Sequence, residues 1–394
     1  MECKYWNLFI RGYDNSMRTI LLDIAPKDNR LLEWYSLDDR ILELEKLVST
    51  YQGVVVLQTL QKRDEPDYST YVGKGKLEEV LQLAEVLQAD TLIIGNILKA
   101  RQVYAIIQEI EKRKIKLQVW DRVDLILKIF QRHAKTPEAK LQIQLASLKH
   151  MGPRIFGMGM ELDRQGGGGG AANKGIGETN TEIMRRHLRE MERKTREKID
   201  HYRRVRVQNR SARKRMNAIT IGIVGYTNAG KSTLMNALTD KGVYEKDELF
   251  ATLGTTVGRL KLPQSAYLDQ DGNFKSRPDI LIYDTIWFIR DLPPELIDAF
   301  SSTLEESLSC DILLQVVDAS DPHIADRIEV TNNILDRIGA IQPRWYVFSQ
   351  IDSCTSADIK KLKTIYKHLK PIFVSAKTGD GLEELVQRLQ VTGK

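Results

Sequence analysis

Eight residues near the middle of the chain, Gly225-Tyr226-Thr227-Asn228-Ala229-Gly230-Lys231-Ser232, fit the pattern G-x-x-x-x-G-K-[ST]. The pattern does its chemistry only in one setting, the turn between a buried strand and the start of a helix. Both flanks supply that setting: residues 218–224 read as a buried strand, and Thr233 opens a helical pattern over 233–238. The glycines let backbone N–H groups turn inward onto phosphate oxygens, and the helix N-terminus presents the positive end of its dipole to the same anion. In that geometry Lys231 reaches the β- and γ-phosphates and the Ser232 hydroxyl ligates Mg²⁺.

A chain of 394 residues exceeds one ordinary domain, so two or three are expected. No segment approaches the ~20 apolar residues of a membrane span, and the first six residues lack the apolar run of a signal peptide. Cys3, Cys310 and Cys354 are scattered without metal or disulfide spacing, which points to reduced thiols and a cytoplasmic protein. The net charge of +6 is concentrated. Residues 182–216 hold fourteen Lys and Arg against five Asp and Glu, an excess of nine, and leave the remainder slightly acidic. Five acids cannot neutralise fourteen bases, so a polyanion partner is favoured over a merely solvated helix.

Three regions follow from the patterning. Residues 1–125 alternate strand signals at 17–25, 53–60, 91–95 and 115–120 with helical ones at 77–87 and 100–110. A further helix begins at Ser36, with Asp39 completing a capping-box-like start. This alternation implies a small α/β subdomain with a largely parallel sheet. Over 126–216, Thr136-Pro137-Glu138 starts a helix carrying Leu141, Leu145 and Leu148, and Gly152-Pro153 is read as its punctuation. A second helix runs over about 182–214. The two suggest an antiparallel helical hairpin, joined by the glycine-rich stretch 165–178, which composition alone makes a linker. Residues 217–394 alternate again, with strands at 219–224, 259–262, 280–283, 312–318, 345–348 and 372–375, the layout of a doubly wound α/β nucleotide domain. One helix over 382–389 follows the last strand, and no further C-terminal domain is expected.

Within that layout, Asp284 ends an apolar strand, where an acid that holds Mg²⁺ through water belongs. Asp352 follows the strand at 345–348, and Ser375-Ala376-Lys377 follows the strand ending near Val374. This order is the guanine-reading half of a translation-factor-type GTPase. A carboxylate there accepts two hydrogen bonds from the N1–H and N2–H₂ edge of guanine, which adenine cannot offer. GTP and GDP with Mg²⁺ are therefore the expected ligands.

On these and further motifs the chain resembles the HflX family of ribosome-associated GTPases over nearly its whole length. Tyr71-Val72-Gly73-Lys74-Gly75-Lys76, Glu138-Ala139-Lys140-Leu141-Gln142 and Gly175-Ile176-Gly177-Glu178-Thr179 look like family motifs of the N-terminal region and hairpin. Phe250-Ala251-Thr252-Leu253 resembles its switch I, and Phe288-Ile289-Arg290-Asp291-Leu292-Pro293 the stretch after switch II. The resemblance implies an N-terminal α/β subdomain (1–125), a basic hairpin with a glycine-rich tip (126–216) and a P-loop GTPase domain (217–394). It implies binding to the large ribosomal subunit, with rRNA met by residues 165–215, and splitting, rescue or recycling of ribosomes under stress. It raises the tip loop above a mere linker, and a monomer is expected.

The resemblance also assigns the nucleotide contacts: Gly225 to Thr233, then Phe250, Ala251 and Thr252, then Asp284, Thr285, Ile286 and Trp287, then Ser349, Gln350, Ile351 and Asp352, then Ser375, Ala376 and Lys377. Thr252 is the Mg²⁺-sensing threonine, with Thr255 or Thr256 as alternatives, beside Ser232 and, through water, Asp284. Lys231, Thr252, Asp284 and Phe288 carry catalysis, and Phe288, where many GTPases have glutamine, implies slow intrinsic hydrolysis, near or below ~10⁻³ s⁻¹, helped by the ribosome. Four residues depart from the pattern. Trp287 replaces the glycine of D-x-x-G, keeping the N–H but losing backbone freedom at a switch. Ser349-Gln350 replaces Asn-Lys of N-K-x-D, which predicts lower affinity, and Gly254 stands where switch I has Asp. The alternative reading is a ribosome-binding factor with a weakened or inactive GTPase acting by occupancy; a third is an RNA-binding NTPase of relaxed base choice.

Overall fold

The computed structural model describes residues 16–27, 37–134, 136–166, 180–215, 218–239, 256–261, 279–284 and 310–391. The chain divides into two compact units, Met1–Ile129 with Ser147–Glu190, and Phe130–Ala146 with Met191–Lys394.

The first unit is built on a four-stranded parallel sheet in the order β2-β1-β3-β4. Its strands are β1 (Met17–Ala25), β2 (Gly53–Lys62), β3 (Thr91–Ile94) and β4 (Gln118–Asp121). Every residue of β1 from Thr19 onward is buried, as a parallel strand covered on both faces requires. Helices α1 (Leu37–Thr50), α2 (Lys74–Val86) and α3 (Ala100–Arg113) make the crossovers. On α2 the spacing of Leu77, Val80, Leu81 and Ala84 turns one face into a core shared with Ile20, Leu22, Leu92 and Ile94. The Ser36 start of α1 lies outside the described residues.

One expectation fails here, and one helix was not foreseen. The strand read at 115–120 begins only at Gln118, because Ile115 and Leu117 pack against the core from the preceding connection. Helix α4 (Arg122–His133) follows β4 with no intervening turn. Its start is made by a reciprocal pair: the Asp124 N–H donates to Asp121 Oδ1 (2.9 Å) and the Asp121 N–H donates to Asp124 Oδ2 (3.0 Å).

Helix α5 (Pro137–Gly166) starts where expected, with Thr136 Oγ1 accepting from the Ala139 N–H at 3.1 Å. It does not stop at Gly152-Pro153 but continues through Pro153 for thirty residues in all. An interior proline removes one helical hydrogen bond and costs about 3 kcal/mol. Here it is flanked by two anchored side chains, His150 and Arg154. Arg154 pairs with Asp121 and Asp124, and His150 Nε2 lies 3.3 Å from a carboxylate oxygen of each. Three of these groups, Asp121, Asp124 and His150, are close enough together to chelate a cation. Arg154 and a protonated His150 already balance the two carboxylates, so the cluster is a charge-neutral pin.

Helix α6 (Asn180–Arg215) covers the basic segment. Thr195 and Ile199 are buried, whereas Arg185, Arg186, Arg189, Arg193, Lys194, Arg196, Lys198, Arg203 and Arg204 are exposed. Residues 167–179, with most of the glycine-rich tip and the motif Gly175 to Thr179, lie outside the described residues.

The second unit carries a six-stranded sheet in the order β10-β9-β8-β5-β7-β6, parallel except for β6. In chain order it comprises β5 (Ile219–Gly225), α7 (Lys231–Leu238), β6 (Thr256–Arg259), β7 (Ile280–Asp284), β8 (Ile312–Asp318), α8 (Ile324–Arg337), β9 (Arg344–Ser349), α9 (Ser356–Ile365), β10 (Ile372–Phe373) and α10 (Leu382–Val391). Alternate residues of β8 face opposite layers: Leu314 and Val316 join Ile221, Ile223, Leu234 and Leu385, while Val317 joins Phe348, Phe373 and Ile328. The strand read at 259–262 lies earlier, because beyond Arg259 only Leu260 still bridges, to Thr239, and Lys261 turns to the Leu238 carbonyl. The strand read at 372–375 is shorter, because Ser375 is drawn into a turn with Asp380. Among the described residues no helix is long and apolar enough to cross a membrane.

Candidate nucleotide site

Strand β5 lies between β7 and β8, so its carboxyl end opens where the sheet order reverses, the usual position of a ligand crevice in a doubly wound sheet. The loop Gly225 to Gly230 leaves this end and feeds α7, as the pattern required. Gly225 has φ +153°, and a Cβ there would stand 2.3 Å from the Val316 carbonyl oxygen, so no side chain is accommodated. Gly230 caps α7 at φ +79°, in the left-handed region that favours glycine. Asn228 adopts the same region without being glycine.

Lys231 is buried, and its Nζ donates to the carbonyls of Gly225 (3.1 Å) and Tyr226. Burial pulls its pKa down from the usual lysine value, with the Asp284 carboxylate pulling the other way. A buried ammonium whose desolvation outweighs the pull of Asp284 gains further from the negative charge of a polyphosphate. Asp284, at the end of β7, is 1% exposed and accepts a hydrogen bond from Ser232 Oγ at 3.2 Å. The sequence placed these two residues 52 positions apart as partners on one magnesium ion. The structure brings them together, and a hydroxyl beside a carboxylate is the hard-oxygen donor set that Mg²⁺ takes alongside phosphate oxygens.

On the far side of the loop, Asp352 sits in a single 3-10 turn after β9, and its Oδ1 accepts from Ser375 Oγ at 2.7 Å. Ser375 is fully buried and also accepts from the Thr378 N–H at 3.1 Å, so the hydroxyl is fixed and holds the carboxylate in place. Ala376 and Lys377 follow on the same loop. Ser349 and Gln350, which sequence reasoning treated as weakened replacements, both reach the phosphate loop. Ser349 Oγ lies 2.7 Å from the Ala229 carbonyl oxygen, and Gln350 Nε2 3.0 Å from that of Asn228.

Sequence reasoning missed two supports. Asp318, at the end of β8, accepts from Gln350 Nε2 at 2.9 Å. Arg327 of α8 pairs with Asp321 and lies over the ring of Tyr226, 4.2 Å from its centroid. Neither belongs to a recognised pattern, although Asp318 could have been suspected as an acid ending an apolar strand beside the loop. The switch residues Phe250, Ala251, Thr252, Gly254, Thr255, Thr285, Ile286, Trp287 and Phe288 lie outside the described residues, as does the Phe288 to Pro293 motif. Thr256 begins β6.

A phosphate loop after the central strand, a paired Ser and Asp beside it, and a serine-braced aspartate across it define a P-loop GTPase. Comparison with known proteins makes the assignment narrower. Family models described as GTP-binding GTPase N-terminal, GTP-binding GTPase Middle Region and 50S ribosome-binding GTPase match residues 38–131, 133–213 and 220–350. The GTPase HflX of Caldanaerobacter subterraneus subsp. tengcongensis is 37% identical over 376 residues, covering 95% of this chain and 80% of that protein. That of Alkalihalophilus pseudofirmus is 40% identical over 327 residues, covering 82% and 72%. The crystal structure of SsGBP in complex with GDP aligns at 25% identity with a TM-score of 0.52, covering 95% of this chain and 99% of that one. The chain belongs to the HflX family of GTPases, and it binds guanine nucleotide and hydrolyses GTP.

Proposed function

We propose that this GTPase works on the large ribosomal subunit, splitting, rescuing or recycling ribosomes under stress, with GTP hydrolysis governing its release. The observation that carries the proposal is the exposed basic face of α6, in a chain whose GTPase region matches a family described as 50S ribosome-binding. Nine exposed bases between Arg185 and Arg204 provide counterion release on any phosphate backbone. The α/β subdomain, the α5–α6 hairpin and the GTPase domain are three working parts, with residues 165–215 meeting rRNA. The protein acts as a cytoplasmic monomer.

At the nucleotide site, Gly225 to Thr233 cradle the phosphates, Lys231 binds the β- and γ-phosphates, and Asp352 with Ser375, Ala376 and Lys377 reads guanine. Ser232 and Asp284, with Thr252 from switch I, hold the magnesium ion, which neutralises phosphate charge when bound. Phe288 stands where many GTPases have a water-orienting glutamine, so hydrolysis by the isolated protein is slow, and the ribosome supplies what Phe288 lacks. Single-turnover GTP hydrolysis with and without purified large subunits tests this. Stimulation of about a hundredfold or more is expected, and an unchanged rate under conditions where the subunit is demonstrably bound would refute it.

A further inference from the structure

We infer that Ser349 and Gln350 are positioning residues that brace the phosphate loop from the guanine loop and so slow the release of bound nucleotide. The inference rests on the nucleotide site proposed above and adds to it a mechanical link that the motif departures had put in question.

The Ser349 hydroxyl, buried at the end of β9, lies within reach of two carbonyl oxygens, Ala229 at 2.7 Å and Val317 at 3.1 Å. The Gln350 amide nitrogen has two hydrogens and two acceptors, the Asn228 carbonyl at 3.0 Å and Asp318 Oδ2 at 2.9 Å. Consecutive side chains thus hold consecutive carbonyls of the phosphate loop. Because a peptide unit is planar and trans, fixing a carbonyl on one side fixes the following N–H on the other. Holding the Ala229 carbonyl against Ser349 directs the Gly230 N–H away from β9, toward the side where a cradle must present its donors.

Two further observations fit a brace. A Cβ on Gly230 would stand 3.7 Å from Ser349 Oγ and 3.8 Å from Gln350 Cγ, so the two side chains directly underlie the turn into α7. Asn228 and Gln350 are both left-handed, each with φ +59°, a conformation that costs free energy for these residues and that their mutual hydrogen bond helps to hold. Asp318 is fixed in turn by Ser320, whose N–H (2.8 Å) and hydroxyl (2.7 Å) both donate to its Oδ1. The brace therefore runs from β8 through Gln350 to the loop. It uses a neutral amide beside a carboxylate, so a lysine at position 350 would make the same reach with a charge-assisted bond.

The test is the dissociation of a fluorescent GDP analogue, chased with excess GDP in a stopped-flow instrument. It uses the full-length wild type, Ser349→Ala, Gln350→Ala and Gln350→Lys. Each alanine variant should release the analogue severalfold to about tenfold faster, the effect of one or two net hydrogen bonds. Gln350→Lys should release it at the wild-type rate or more slowly, an ordering that general loss of structure would not produce. Wild-type release rates in both alanine variants would overturn the brace while leaving the nucleotide site intact. A wild type that fails to retain GDP at all would overturn the site assignment itself and the brace with it.

Discussion

In the proposed reading of guanine, base choice turns on Asp352. Its carboxylate is exposed at the surface of the guanine loop, yet it is not free to rotate, because Ser375 Oγ donates to Oδ1 at 2.7 Å. That bond uses Oδ1, and in the proposed reading the other carboxylate oxygen accepts from an incoming guanine. Asp352→Asn replaces one acceptor by an N–H₂ that opposes the exocyclic N2–H₂ of guanine. The same amide matches the C2 carbonyl of xanthine. Affinity for GTP should fall roughly tenfold to a hundredfold and affinity for XTP should rise. Competition of GTP, XTP and ATP against a labelled nucleotide measures the exchange, and an unchanged GTP preference would place base recognition elsewhere.

The element scale shows where the sequence could be read and where it could not. Strands β1 and β8 were legible to the residue because Pro26 stops the first and Asp311 and Asp318 bracket the apolar run of the second. The phosphate loop, Asp284, Asp352 and Ser375 were legible because each follows such a strand at a spacing fixed by chemistry. Helix α4 was not. Val123, Leu125, Ile126, Leu127, Ile129 and Phe130 are all buried, so the apolar face is wide and leaves only a narrow polar stripe, Asp124, Lys128, Gln131 and Arg132, at helical spacing. A second signal was Asp121-x-x-Asp124, a reciprocal cap written with two aspartates. Pro153 misled because a local breaker yields to packing: the turn it weakens is held on both sides by His150 and Arg154. The tie from Ser349 and Gln350 to the Ala229 and Asn228 carbonyls was hidden for another reason. It joins side chains to backbone about 120 residues away, and carbonyls carry no sequence signature.

The same pin makes a prediction for the first unit. Burial opposes the charged form of His150, but the facing carboxylates of Asp121 and Asp124 outweigh it and raise the pKa to about 9. Asp124 is likewise desolvated, yet His150 and Arg154 hold it well below the usual carboxylate range. A histidine raised above its unfolded value of about 6.5 contributes stability that is complete below that pH and is lost as pH rises through about 9. The melting temperature of the wild type should therefore fall between pH 7 and 9.5, and that of His150→Gln should fall less over the same interval. Arg154→Met leaves two buried carboxylates facing one histidine, and should cost about 3–5 kcal/mol in denaturant unfolding. A pH profile identical for wild type and His150→Gln would show that the histidine is neutral in the fold.

At the scale of the whole molecule, charge separates the part proposed to meet a polyanion from the part that turns over nucleotide. Over residues 182–216 the excess is nine positive charges, while the chain as a whole carries only +6, so the rest is net acidic. Such a distribution orients the protein on a phosphate-rich surface as well as attracting it. Among the exposed bases, Arg193 and Arg196 are partly engaged by Glu197 and Glu192 on the same helix, a pairing that weakens their pull on an external phosphate. Arg185, Arg186 and Arg189 occupy the first turns of the described helix and are all exposed. Replacing these three by Glu changes the local charge by six while leaving Ile199 and Thr195, two buried residues of α6, untouched. Binding to isolated large subunits should drop by a hundredfold or more at moderate salt. The slope of log affinity against log salt should become shallower by about two to three, one increment of roughly 0.7–0.9 for each phosphate no longer neutralised. GDP affinity and unstimulated GTP hydrolysis should stay at wild-type values, because α7, β7 and the guanine loop lie elsewhere in the chain. Cosedimentation with large subunits across a salt series, paired with nucleotide binding on the same preparations, separates the two. If the triple variant bound subunits with the wild-type salt slope, the basic face of α6 would be a solvated helix surface, and ribosome recognition would have to lie outside it.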